Sequence, residues 1–134
     1  MFMPSPYEAV LRAIPGAAAD ADLMAATAPK IFADDAVLHV PGTSPLAGAP
    51  HGPHAIAQDY FQRQVALTEN TLRLTTVRID VEDGRGTLIL HVTAQRGARA
   101  LDDRQVFVFR LAGGKVQEGW IECADQEKFD AFFS

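Results

Sequence analysis

The stretch Thr71–Cys123, TLRLTTVRIDVEDGRGTLILHVTAQRGARALDDRQVFVFRLAGGKVQEGWIEC, decides the fold. It holds four runs, Thr71–Val81, Thr87–Ala94, Leu101–Leu111 and Lys115–Cys123, rich in β-branched and aromatic residues and alternating with a period of two. Successive side chains on a strand point to opposite faces, so this pattern predicts four strands. The connections Asp83-Gly84-Arg85-Gly86, Arg96-Gly97-Ala98-Arg99 and Ala112-Gly113-Gly114 are short and carry glycine, which suits hairpin turns and makes the sheet antiparallel. Strands of about ten residues are long for a small domain, and long antiparallel strands twist and coil. A strongly bent sheet follows. Helices that precede it pack on the concave face, and where they leave the curve unfilled a pocket remains.

Upstream, Ala-rich segments at Tyr7–Ile14 and from Asp20 to about Ala28 predict two helices, broken by Pro15-Gly16, with Pro29 ending or kinking the second. Val37–Val40 reads as a short strand. The segment from Pro41 to Gly52 carries too much proline and glycine for regular structure and is placed over the pocket mouth. Pro53 opens a third helix to about Leu67, with Ile56, Tyr60, Phe61, Gln64 and Leu67 on one stripe. With 134 residues, 48% of them hydrophobic, the chain can bury one substantial core, so residues 1–134 are read as a single α+β domain.

Twelve basic and seventeen acidic side chains leave a net charge of −5, and no basic cluster stands free of neighbouring carboxylates. Nucleic acid is excluded as a partner on that ground, because phosphate neutralisation needs a basic face. No apolar run approaches the roughly 20 residues of a membrane span. The start Met1-Phe2-Met3-Pro4-Ser5-Pro6 lacks a charged region followed by an apolar one, and the expected location is cytoplasmic. The single cysteine, Cys123, fits a reducing compartment and reads as a small buried hydrophobe.

The run Phe32-Ala33-Asp34-Asp35-Ala36-Val37-Leu38-His39-Val40-Pro41-Gly42, followed by Ser44-Pro45-Leu46-Ala47-Gly48 and His51-Gly52 before a helix, resembles the SnoaL-like branch of the nuclear transport factor 2-like superfamily. So does the ending, with Val108-Phe109-Arg110, a glycine turn, Lys115-Val116, Trp120, Asp125-Gln126 and the tail Phe129-Asp130-Ala131-Phe132-Phe133. The resemblance spans Asp20 to Ser134. It implies a cone-shaped, bent antiparallel sheet with three helices on its concave face enclosing a pocket. The superfamily includes ketosteroid isomerase, polyketide cyclases, scytalone dehydratase and limonene epoxide hydrolase, beside non-catalytic binding and assembly domains, so fold alone leaves the chemistry open.

On that resemblance His39 and Asp125 are the expected catalytic pair. The isomerase base matches His39 or Val40, and in the epoxide hydrolases the matching position favours His39 pointing inward, where an imidazole suits proton shuttling. A His hydrogen-bonded at a strand end is the competing reading. Asp125 matches the acid/base aspartate of the SnoaL cyclases, and also suits an N-cap for a helix at Gln126–Phe133. Phe107 stands where the isomerase carries its oxyanion-stabilising aspartic acid, so an unmodified isomerase mechanism is not expected. The strand Leu88–Thr93 lacks the Arg and Asp that the epoxide hydrolases place two residues apart.

Phe107, Trp120, Tyr60, Leu90, Gln105 and Val40 are the expected substrate contacts. Alternation groups Gln105, Phe107 and Phe109 on one face and sets His91 and Thr93 against Leu90 and Val92. The isomerase alignment turns Leu90, Val92 and Phe107 inward and His91 outward. Glu118 and Glu122 are read as solvated or interfacial. His51 and His54 have no third ligand in view, so no metal is expected. The expected function is cofactor-free acid/base isomerisation, cyclisation or hydration of a small apolar, polyketide- or steroid-like molecule. The alternative is a ligand-binding or assembly domain with the same cavity. A homodimer through the convex sheet face is expected, because Val106 and Val108 would otherwise be exposed there.

Overall fold

The computed structural model describes residues 5–134, so the reading of the chain's first four residues lies outside it. Helix α1 (Pro6–Ala18) starts at Ser5, whose Oγ accepts a hydrogen bond from the Tyr7 N–H at 3.2 Å. Helix α2 (Ala21–Ile31) is capped by Asp20, which accepts from the Leu23 N–H at 3.0 Å. Pro15 and Pro29 lie inside these helices and do not end them. A proline removes one backbone hydrogen bond, but Ile14, Pro15, Ala17 and Ala18 are all buried, and that packing holds the turn in place.

Strand β1 (Phe32–His39) is longer than the segment Val37–Val40 read from sequence. The loop after it is pinned to the strand end by reciprocal backbone bonds between Val40 and Gly48, at 2.8 and 3.0 Å. The third helix follows in three parts: α3 (Gly52–Ile56), a π-helical stretch η1 (Ala57–Gln62) and α4 (Arg63–Leu67). Strands β2 (Arg73–Glu82), β3 (Arg85–Arg96), β4 (Arg99–Ala112) and β5 (Lys115–Cys123) form the meander, and α5 (Gln126–Phe133) ends the chain. The β2–β3 turn needs left-handed backbone at both central residues, and Asp83 (φ 48°) with Gly84 (φ 74°) supplies it.

The sheet order is β1-β5-β4-β3-β2. The four strands of the meander pair antiparallel, as their turns require, while β1 joins β5 in parallel. The antiparallel sheet expected from sequence is corrected at this edge, where β1 runs parallel to β5; a parallel neighbour needs a long crossover, which the helices and meander between β1 and β5 provide. Register breaks at Thr76/Arg78, Arg110/Leu111 and Phe32/Val37 mark bulges or irregularities, which bend strands and add twist. The concave face buries Leu88, Leu90 and Val92 from β3, and Phe107, Phe109 and Leu111 from β4, against the helices. The fold is the expected α+β arrangement, with α5 as a further helix against β4 and β5. Arg96 and Arg99, from either side of the β3–β4 turn, donate to the Phe132 and Ser134 carbonyls and satisfy the free end of α5.

Gly119 sets how closely the layers approach. A Cβ there would lie 2.8 Å from Phe109 Cδ1 and 3.0 Å from Leu38 Cδ1, both on buried side chains. Gly119→Val is therefore expected to cost about 1–3 kcal/mol in urea unfolding, the usual penalty for overpacking a core. An unchanged midpoint would contradict this packing.

Candidate functional site

The inner face carries one group of neutral polar side chains. Tyr60 sits on η1 and is 1% exposed, as are Gln64, one turn later, and Gln105 on β4. The Tyr60 hydroxyl oxygen accepts from Gln105 Nε2 at 3.4 Å and from Gln64 Nε2 at 3.5 Å. Gln105 Nε2 also reaches Cys123 Sγ at 3.7 Å. These contacts are longer than the 2.7–3.2 Å typical of N–H···O bonds, so the cluster is satisfied only loosely. Leu90, Phe107 and Phe61 are buried around the same interior, and Phe61 meets the Tyr60 ring edge-on at 4.9 Å.

Burial dominates the titration of this cluster. It raises the Tyr60 phenol well above its ordinary value, against the opposing bonds from Gln105 and Gln64, so the hydroxyl stays protonated at any working pH. Burial likewise pushes the Cys123 thiol up to about 11, helped by the nearby charges of Asp103 and Asp130. A neutral phenol can donate a hydrogen bond to a carbonyl oxygen, which is the chemistry this interior offers. π-helical turns are rare and frequent at functional sites, and here one carries the central phenol.

The rim is built by α5 and the loop from Pro41 to Gly52. Asp130 accepts from the Ser44 N–H at 3.3 Å and from Gln126 Nε2 at 3.2 Å, and a Cβ on Gly42 would collide with both α5 side chains. Ser44 and Leu46 of the loop are buried. Among the described residues one carboxylate is buried, Asp103, on the inner face of β4 opposite Val92.

Tyr60, Gln105, Phe107, Leu90 and Val40 are all buried inside, and Gln105 shares a face with Phe107 as the alternation reads. His39 and Trp120 do not. The expected inward His39 is corrected by strand geometry: its neighbours Leu38 and Val40 are both buried, so His39 faces the other way. It pairs in register with Trp120, stacks on the indole at 5.5 Å and 13°, and bonds Glu118 at 2.6 Å. Trp120, 40% exposed between buried Gly119 and Ile121, shares that outer face, so its expected contact with a ligand inside the cone is corrected as well. Beside them a cleft of about 410 Å³ opens between His39, Trp120, Glu122 and the loop at Pro41 and Gly48.

Asp125 is exposed and caps α5, accepting from the Lys128 N–H at 3.1 Å. His39 and Asp125 thus have separate partners. Sequence reading does not single out the buried Gln64 and Asp103, and it takes Cys123 for a simple hydrophobe. Gln64 lies four residues after Tyr60 on the stripe, and Asp103 two before Gln105 on the alternating face, and both spacings were legible.

A family model described as the SnoaL-like domain matches residues 11–119. The chain belongs to the SnoaL-like family. No curated protein matches it. Among solved structures, Bal32a from a soil-derived mobile gene cassette is 28% identical, with 96% of this chain and 97% of that one covered at a TM-score of 0.87. IdmH, a proposed polyketide cyclase from Streptomyces antibioticus, is 18% identical with coverages of 90% and 93% and a TM-score of 0.72. An NTF2-like protein from Burkholderia xenovorans is 18% identical, 96% covered on both sides, with a TM-score of 0.70. The last two show the fold alone, and they place this SnoaL-like chain in the NTF2-like cone.

The raised thiol has a measurable consequence. A thiol shifted from 9.0 to about 11 holds about 100-fold less thiolate near neutral pH, so iodoacetamide should label Cys123 about 100-fold more slowly in the folded than in the urea-unfolded chain. Because the folded value is the higher one, its contribution to stability is fully present below 9.0 and lost as pH rises through about 11. Equal labelling rates in the two states would contradict the burial.

Proposed function

We propose that this SnoaL-like chain is a cofactor-free enzyme that isomerises or cyclises a small apolar, polyketide-like molecule through an enol. The observation that carries this reading is the Tyr60 phenol, buried, neutral and held only by two long amide contacts inside an apolar cone. A substrate carbonyl that takes the phenol's hydrogen bond gains acidity at the neighbouring carbon, since negative charge moving onto the oxygen is stabilised in a site of low dielectric. Gln64 and Gln105 orient the phenol, while Phe107, Leu90 and Val40 shape the apolar walls. The similarity to IdmH, itself a proposed polyketide cyclase, supports the substrate class.

A ligand-binding domain without turnover is the second reading. It is favoured by one observation: among the described residues, no hydrogen bond of the Tyr60 cluster reaches a carboxylate or an imidazole. For assembly, we propose a homodimer through the outer face, where Ile89, Val106 and Val108 are half-buried beside exposed Trp120. No helix among the described residues is long and apolar enough to cross a membrane. The lone cysteine supports the cytoplasm as the proposed location.

Deuterium uptake at the carbon next to the carbonyl of 2-tetralone, followed by NMR in D2O, tests the enzyme reading. The unmutated protein is expected to accelerate uptake over buffer, and Tyr60→Phe to lower that acceleration about 100-fold, the usual loss for one oxyanion donor. Saturable binding of 2-tetralone with no acceleration would overturn the enzyme reading in favour of the binding domain.

A further inference from the structure

The Tyr60 cluster leaves both donors and acceptors uncommitted. The phenol oxygen accepts from Gln64 Nε2 and Gln105 Nε2, at 3.5 and 3.4 Å, and its own O–H has no acceptor among the described residues. Gln105 Nε2 also reaches Cys123 Sγ, so both hydrogens of that amide are engaged and its oxygen points away from them. Gln64 Oε1 and Gln105 Oε1 take no hydrogen bond among the described residues. Both glutamines are 1% exposed, and no fully enclosed side-chain nitrogen or oxygen of the described residues lacks a partner. The small exposure left on each glutamine therefore includes its oxygen, the unpaired atom of an otherwise enclosed amide. Gln64 reaches the phenol from α4 and Gln105 from β4, so the two oxygens belong to the interior between helix and sheet.

These groups set what a ligand must offer. The Tyr60 O–H and the second Gln64 N–H are donors, and the two lone pairs of a carbonyl oxygen suit them. A plain ketone brings acceptors only. Once it excludes water from the interior, it leaves both amide oxygens unpaired, and a buried polar atom without a partner carries the full penalty of its desolvation. A ligand that also donates removes that penalty. Within one amide the oxygen and nitrogen lie about 2.3 Å apart, which puts each oxygen within about 6 Å of the phenol oxygen. A carbonyl and a hydroxyl on the first or second carbon from it bridge such a span with ordinary hydrogen bonds.

We propose that the ligand of the cone is a hydroxy ketone, and that the amide oxygens of Gln64 and Gln105 are the groups that select it. The ligand carbonyl accepts from Tyr60, and a hydroxyl on the first or second carbon away donates to Oε1 of Gln64 or Gln105. This deepens, and rests on, the reading of the interior as a carbonyl site. The apolar walls at Phe107, Leu90 and Val40 hold the rest of the skeleton. The selection is directional. A methyl ether at the same carbon keeps the oxygen but has no hydrogen to give, so it leaves the acceptors unpaired and is rejected with the plain ketone. Two acceptors also admit a second hydroxyl on the same fragment.

The experiment compares 1-tetralone with its 2-hydroxy, 2-methoxy, 3-hydroxy and 3-methoxy derivatives, each affinity being read from the methyl signals of buried Leu90 in an NMR titration. At least one hydroxy ketone is expected to bind the unmutated protein about tenfold tighter than both its methyl ether and 1-tetralone, the effect of one hydrogen bond to an otherwise unpaired buried acceptor. In protein carrying Gln64→Met and Gln105→Met together, whatever its affinity for 1-tetralone, the hydroxy ketone should bind no tighter than 1-tetralone. A merely structural role for the glutamines would lower all the affinities alike, and a tenfold preference surviving in the double variant overturns the assignment. Equal binding of hydroxy ketone, methyl ether and 1-tetralone by the unmutated protein overturns it whether or not the variant folds, and leaves the carbonyl site standing. If circular dichroism shows the double variant unfolded, the 13C signals of the Gln64 and Gln105 side-chain carbonyls in the unmutated protein decide. They should shift further with the hydroxy ketone than with its methyl ether, and identical shifts overturn the assignment. An unmutated protein that binds none of these ketones overturns the reading of the interior as a carbonyl site, and this assignment with it.

Discussion

Twelve consecutive antiparallel pairs, from Arg85 opposite Arg110 to Arg96 opposite Arg99, lock β3 and β4 into one register. A slip of a single residue would turn every side chain of either strand to the opposite face, bringing His91 and Arg104 into the core and sending Leu90 and Gln105 to solvent. That ladder therefore decides the contents of the cone. It aligns Leu88 with Phe107 and Leu90 with Gln105, and it puts Asp103 opposite Val92, at the end toward α5. The polar cluster is a consequence of this register, because Gln105 reaches Tyr60 only from the inner face.

The same alternation builds the outer surface. His39 with Glu118, and His91 with Asp102, form two imidazole–carboxylate pairs at 2.6 and 2.7 Å. The Asp102 carboxyl is held below its ordinary range, chiefly by the bond from His91. Between these pairs run Ile89, Val106, Val108 and Trp120, an apolar band with charged flanks. The cone's two faces thus divide the work, the inner one offering neutral polar groups in an apolar setting and the outer one presenting paired charges around an apolar centre.

Much of this was legible in the sequence. The four strands, their turns and their two faces follow from the period-two pattern of Thr71–Cys123, whereas the inward turn of Leu90 and Phe107 comes from the resemblance to the isomerase and that of Tyr60 from the stripe of its helix. His39 was misplaced because a one-residue ambiguity in matching β1 to relatives reverses its face, and only pairing with Trp120 resolves it. Pro15 and Pro29 argue locally for helix ends, but tertiary burial outweighs a single lost backbone bond. The π-helical stretch at Ala57–Gln62 has no signature in residue type, since it depends on how the helix packs in the cone. Asp103 sat on the correct face of a correctly read strand. It was passed over because a carboxylate beside another, in Asp102-Asp103-Arg104, looks like an exposed charge run until one of the two is seen to be buried.

The central claim is that this protein recognises its ligand inside the cone, at the Tyr60 cluster, and not on the Trp120 face. A titration of 15N-labelled, unmutated protein with 2-tetralone tests this directly, because each location carries its own reporter. The side-chain amides of Gln64 and Gln105 report on the interior, and the chain's single tryptophan supplies one indole N–H on the outer face. The account predicts that the two glutamine amide signals shift and saturate together while the Trp120 indole signal stays in place. Saturating movement of the Trp120 signal with both glutamine amides unmoved would contradict it.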